Sequence, residues 1–164
     1  MSKKIKNEKA LKGLNRYFTI AKVFLAITPF VGYLYLSLRA SMLSITLQEV
    51  LTKEPSVTII FLIAMLNPYI AYLMDLVQKK LQQGDVKFAC INMVALLLSQ
   101  AITMNLFYFI MLAVVFYKAI KFYQIDILDT IKQFTIKQSF RLGGGSFIVI
   151  AFSSICLFAT IRLM

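Results

Sequence analysis

Apolar residues gather into four long runs, at 17–38, 56–77, 88–117 and 146–164, with polar and mostly basic residues between them. Each run supplies close to the roughly 20 apolar residues that a helix needs to cross a hydrocarbon core about 30 Å thick. The pattern predicts an all-α, multi-pass integral membrane bundle of four spans, one membrane domain over residues 1–164. The first run is longer than the core of a removable signal peptide, about 7–15 residues, and ends in Tyr-Leu-Tyr-Leu-Ser-Leu. It is expected to stay as an anchor.

The segments between the runs carry patterns of their own. Residues 1–16 form a basic tail with Lys3, Lys4, Lys6, Lys9, Lys12 and Arg16 against Glu8 alone. In the first connector, Ser41 is placed to cap an amphipathic helix over 41–53, with Leu43, Leu47, Val50 and Leu51 on one face and Pro55 as its stop. Residues 78–87 read as a tight polar turn. In segment 118–142, Ile120, Tyr123, Ile127, Ile131 and Phe134 recur at helical spacing, with Lys118, Lys121, Asp126, Asp129, Lys132 and Lys137 on the other side. That spacing predicts a second amphipathic helix, lying at the interface or docking a partner. Gly143-Gly144-Gly145 lacks the Lys-Ser/Thr of a phosphate loop and reads as a hinge.

The run 88–117 admits two readings. As one tilted helix its 30 residues rise about 45 Å. As a re-entrant helical hairpin turning around Ser99-Gln100-Ala101, it would leave three spans. Cytoplasmic loops collect Lys and Arg. The single helix divides the loop cations ten to seven in favour of the N-terminal side, the hairpin fourteen to three. Charge favours the hairpin. Length and the lack of Gly or Pro in the run favour the single helix, which is the expectation adopted. Both counts place the N-terminus in the cytoplasm.

Composition agrees with this class. The chain is 60% hydrophobic and 15% charged with a mean hydropathy of +0.78, against about 45–50% and about 25% in soluble domains. The net charge of +11 first reports orientation in a membrane protein, and the basic tail beside a span suits acidic lipid headgroups rather than nucleic acid. With no histidine, His-dependent bases, triads and metal sites are excluded. Cys90 and Cys156, each inside an apolar run, read as small fillers. The seven acids lie mostly in connectors, so no catalytic, cofactor-binding or metal-binding residue is expected, and no enzyme. Lys outnumbers Arg 14 to 4 beside abundant Ile and Phe, which suits an AT-rich genome and the cytoplasmic membrane of a bacterium.

Polar residues inside hydrocarbon are costly and need a partner or a purpose. Asn92, Ser99 and Thr103, at i, i+7 and i+11 with Gln100 beside them, share a narrow helix face. They form either a hydrogen-bonded seam between helices or a lining for an ion or polar solute; the seam is the expectation. Asn67-Pro68 predicts a kink, accommodated by neighbouring helices rather than used to bind an ion. Asp75 is placed to pair with Lys79 at i, i+4, while Lys22 and Arg162 reach the headgroups as anchors. These features predict a non-catalytic interaction or accessory subunit, of the transport, secretion or toxin-protection kind. Its partners would be the bilayer and another membrane protein or a second copy. The alternative is a small oligomeric transporter or channel subunit.

Overall fold

In a computed structural model, residues 2–126 and 136–163 are described, except for the side chains of 2–7 and 136–142. All regular structure among them is helical: α1 (Ser2–Leu43), α2 (Leu47–Lys53), α3 (Pro55–Gln82), α4 (Val86–Ile102), α5 (Leu106–Tyr123) and α6 (Ile136–Leu163). Four segments are long and apolar enough to cross a membrane: Glu8–Leu43, Pro55–Gln82, Leu106–Tyr123 and Gly143–Leu163. The protein is a helical membrane bundle with four candidate spans, and the shorter apolar α4 lies among them.

The third span differs from expectation. The run 88–117 is not one helix; it breaks between Ile102 and Leu106. The reason lies in how helices end here. At each of four helix ends one residue turns left-handed: Ser44 (φ 53°), Gly84 (φ 83°), Met104 (φ 54°) and Gln124 (φ 52°). The next residue then donates its amide to the carbonyl five positions back: Ile45 to Ala40, Asp85 to Lys80, Asn105 to Gln100 and Ile125 to Ile120. This loop caps carbonyls that the helix would leave bare. Only one of the four uses glycine, so three breaks carry no glycine signal. At the Met104 break the Thr103 hydroxyl also donates to the Ser99 and Gln100 carbonyls, which favours termination. The turn lies just beyond Ser99-Gln100-Ala101. Its arms are not half-length either, because α5 continues past Tyr117 to Tyr123.

Side-chain contacts fix the course of the helices. Asn15 meets Gln78, Lys22 meets Asp75 and Gly32 meets Ala64, so α1 and α3 are antiparallel. Thr28 bonds Tyr108 and Lys118 lies over Tyr17, so α5 also runs against α1. Ser146 bonds Asn92, and further along Thr160 and Leu157 share a pocket wall with Ile102. Helices α4 and α6 are therefore parallel. One end of the bundle gathers the N-terminal part of α1, the 83–85 turn and the end of α5. The other gathers α2, the 103–105 turn and the end of α6.

The core follows from small and branched residues at helical spacing. On α1, Leu14, Phe18, Ala21 and Leu25 form a stripe at i, i+4, i+7, i+11, all buried. Helix α4 buries Ala89, Asn92, Met93, Leu96, Ser99 and Gln100 among others. Outward residues stay apolar, as with Phe30 and Ile148, because the medium around a membrane bundle is hydrocarbon.

Three connector expectations change. The first amphipathic helix is not capped by Ser41: α1 runs on to Leu43, and α2 begins at Leu47. There Thr46 and Glu49 form a reciprocal capping box, a stronger start signal than a lone serine. Val50 is buried against Leu36, Ala40 and Val57, and Pro55 opens α3 at the position where a missing amide does no harm. Segment 118–142 is not one amphipathic helix, since α5 closes at Tyr123 and residues 136–142 already belong to α6. Ile120 and Tyr123 pack against the bundle's own core; Ile127, Ile131 and Phe134 lie outside the described residues. Finally, the glycine triplet is continuous helix rather than a hinge. A Cβ at Gly143 would meet Ile91 at 2.9 Å, and one at Gly145 would meet Leu73 at 2.8 Å. The missing side chains let α6 approach α4 and α3 closely.

Candidate functional site

The proposed polar seam is only partly a seam. Asn92 is buried; its Nδ2 donates to the Phe88 carbonyl at 2.8 Å and its Oδ1 accepts from the Ser146 hydroxyl at 2.6 Å, joining α4 to α6. Ser99 donates to the Leu96 carbonyl of its own helix at 2.7 Å, and Thr103 likewise bonds within α4. Such local bonds satisfy a hydroxyl without a second helix. Gln100, although 2% exposed, has no partner for Oε1 among the described residues.

Asn67 and Pro68 lie inside α3, which continues through both. Asn67 is 1% exposed, and neither amide atom has a partner among the described residues. The Ser153 hydroxyl on α6 also lacks a partner among the described residues. Asn67 borders a cavity of about 410 Å³ between α1, α3 and the 103–105 turn, where the other polar lining residues (Thr28, Tyr35, Thr103 and Asn105) are uncharged.

The most connected polar group is one that pattern reading resolved only in part. Asp75 pairs with Lys79 at 2.7 Å, as its spacing implied, and equally with Lys22 at 2.7 Å across the α1–α3 contact. Lys22 also donates to Gln78 at 2.9 Å, and Gln78 donates to Asn15 at 2.9 Å. Lys22 is thus a bridge between helices rather than an anchor alone. The signal was present: the base inside the first apolar run and the acid inside the second are natural partners in hydrocarbon. Arg162 does behave as an end residue, over the Phe158 ring at 5.1 Å.

Charge separates the two ends. At the first lie Lys9, Lys12 and Arg16 of α1, Lys79 and Lys80 of α3, Lys87 of α4, and Lys118 and Lys121 of α5. Most of them make no ion pair among the described residues; Lys79 is the exception. The opposite end has Arg39, Lys53 and Arg162, two of them paired with Glu54 and Glu49. Helix α1 overruns the first end. Its 42 residues rise about 63 Å, beyond the roughly 40–45 Å of a whole bilayer.

Among the described residues no group of three or more His, Cys, Asp or Glu could hold a metal, and both cysteines are free and buried. No family model, curated protein or solved structure matches the chain.

Proposed function

We propose that this protein is a non-catalytic subunit of a membrane complex in the cytoplasmic membrane of a bacterium, with its N-terminus in the cytoplasm. The observation that carries the reading is the one-sided charge. Cations from four helices converge on one end, and a continuous basic helix overruns it. Cytoplasmic loops collect Lys and Arg, which supports the orientation. The overrunning helix offers an acidic partner a preformed cationic surface, of use to an accessory or protective subunit.

Two measurements test this. Cysteines introduced singly as Gly84→Cys and Met104→Cys should label from opposite faces, Gly84→Cys from the cytoplasm; labelling of both from one face overturns the topology. A photoreactive residue in place of Lys12 should give a discrete protein adduct in cells. Lys9→Glu and Arg16→Glu together should abolish it. No adduct at Lys12 overturns the accessory reading.

A transporter or channel subunit is the second reading, favoured by the Asn67 amide, the Gln100 Oε1 and the Ser153 hydroxyl, which are buried in the bundle without a hydrogen-bond partner among the described residues. Solute flux in proteoliposomes that Asn67→Leu abolishes without loss of folding would establish it in place of the first.

A further inference from the structure

The cationic end contains a built concavity, formed where the overrunning helix α1 meets the end of α5. Between α1 and α5 lies a pocket of about 280 Å³ lined by Ala10, Gly13, Tyr17, Lys118, Lys121 and Phe122. On α1 the first three fall at i, i+3 and i+7, one face of the helix; on α5 the two lysines are i, i+3 neighbours. At Gly13 a Cβ would meet nothing within 4 Å. The gap in the wall is therefore open space and not a close helix contact, unlike Gly143 and Gly145.

The electrostatics of this pocket are unbalanced. Among the described residues Lys118 and Lys121 make no ion pair and no acid lines the cavity. Two ammonium groups on adjacent turns repel each other, and an anion placed between them removes that repulsion. The Lys118 ammonium rests over the Tyr17 ring, 4.3 Å from its centroid, so it is already held at the pocket wall. The pocket is amphiphilic: its lining combines the two lysines with Leu14 of α1 and Phe122 of α5. It falls at the level where α3 ends, since Asn15 reaches Gln78 and Gln82, and so at the membrane surface. At about 280 Å³ it lies just under the usual range of small-molecule sites, about 300–1,000 Å³. It suits a headgroup rather than a whole amphiphile.

We infer that the α1–α5 pocket binds a phosphate ester, with Lys118 and Lys121 on the phosphoryl oxygens and the Gly13 gap admitting the group. An anionic phospholipid is the source nearest to hand, because basic pockets between transmembrane helices meet such headgroups. The inference rests on the protein being membrane-embedded, not on the accessory-subunit reading.

The test is native mass spectrometry of detergent-purified protein offered phosphatidylglycerol or phosphatidylcholine. Wild type should retain phosphatidylglycerol selectively. Lys118→Gln with Lys121→Gln should weaken retention roughly 30-fold, from about tenfold per 1.4 kcal/mol and about 1 kcal/mol per lysine. Lys80→Gln with Lys87→Gln, the same charge change outside the pocket, should leave it within about threefold. Gly13→Leu keeps every charge, fits the open space and should also abolish retention; unchanged thermal unfolding confirms that it folds. Displacement by millimolar inorganic phosphate would assign the site to a soluble phosphate ester, with no displacement assigning it to the lipid. Equal retention of both lipids, equal losses from the two lysine pairs, or displacement by an acidic peptide but not by phosphate would overturn the inference.

Discussion

Where α1 meets α3 the polar contacts are long-armed and centre on an ion pair, with Asn15 and two glutamines beside it, whereas where α4 meets α6 the Asn92–Ser146 bond is neutral and short. Lys22, Asp75 and Lys79 lie within about two turns of the end of α3 and keep partial exposure. A lysine stem can there lie along apolar surface while its head stays near water. Asn92 and Ser146 are buried, and beside them α6 comes close through Gly143 and Gly145. The difference follows the dielectric. Asp75 and Asn92 lie about equally far from the 83–85 turn, so burial decides: charge is kept where the side chains stay partly exposed, and a neutral bond beside missing side chains serves where they do not.

The comparison breaks most sharply at the glycines. Gly145→Leu should destabilise the bundle by about 3 kcal/mol, the upper end for overpacking. Gly144→Leu, where a Cβ meets nothing within 4 Å, should change stability by less than about 0.5 kcal/mol. Unfolding in mixed micelles reads both, and equal effects would remove the close-packing role. Next comes the charged seam. Asp75→Asn should cost about 1.5 kcal/mol, between exposed and buried limits. In a double-mutant cycle with Lys22→Gln it should be less than additive, with a coupling that falls as salt rises. The neutral seam should be weaker, with an Asn92→Leu and Ser146→Ala coupling of about 0.6 kcal/mol. A coupling there as salt-sensitive as that of Lys22 with Asp75 would contradict the neutral assignment.

The smallest effect lies outside both seams, in α2. The Thr46 backbone amide, then its hydroxyl and Lys53, hold the Glu49 carboxyl below the ordinary carboxylate range. A carboxyl depressed in the folded state stabilises above its unfolded value and ceases to as pH falls through the lowered one. Protection of the Glu49 and Val50 amides, taken relative to their intrinsic exchange rates, should therefore fall in acid, below the ordinary carboxylate range. Thr46→Ala, which removes the hydroxyl but keeps the backbone amide and Lys53, should weaken that pH dependence and cost about 0.5 kcal/mol, the low end for a lost cap. Neither change should alter the couplings in the two seams.

What pattern could and could not reveal divides along physical lines. Hydropathy alone exposes the membrane class, because lipid demands apolar surface on every outward face, as Phe30 and Ile148 illustrate. Spacing exposes the Asp75–Lys79 pair because it is local. The helix break at Met104 escapes because a left-handed residue without glycine looks like any other. The end of α5 escapes because Lys118 and Lys121 mark an interface without stopping the helix. Gly143 and Gly145 mislead for the opposite reason: a residue that frees the backbone also lets helices touch, and only the neighbouring Ile91 and Leu73 decide which. For the candidate site, sequence placed Asn92 and Asn67 inside the bundle. It did not bring Lys22 to Asp75 or open a pocket beside Gly13, since both join residues distant along the chain.

The turns at 83–85 and 103–105 also govern how the chain can be laid into a bilayer during synthesis. Three residues tether each pair of helix ends within about 14 Å, so α4 cannot wander from α3 or α5 once either is inserted. With only 17 residues and an Asn, a Ser and a Gln on its inner face, α4 is poorly suited to residing alone among acyl chains. The short tethers deliver it already flanked, which makes α3, α4 and α5 a single unit of insertion.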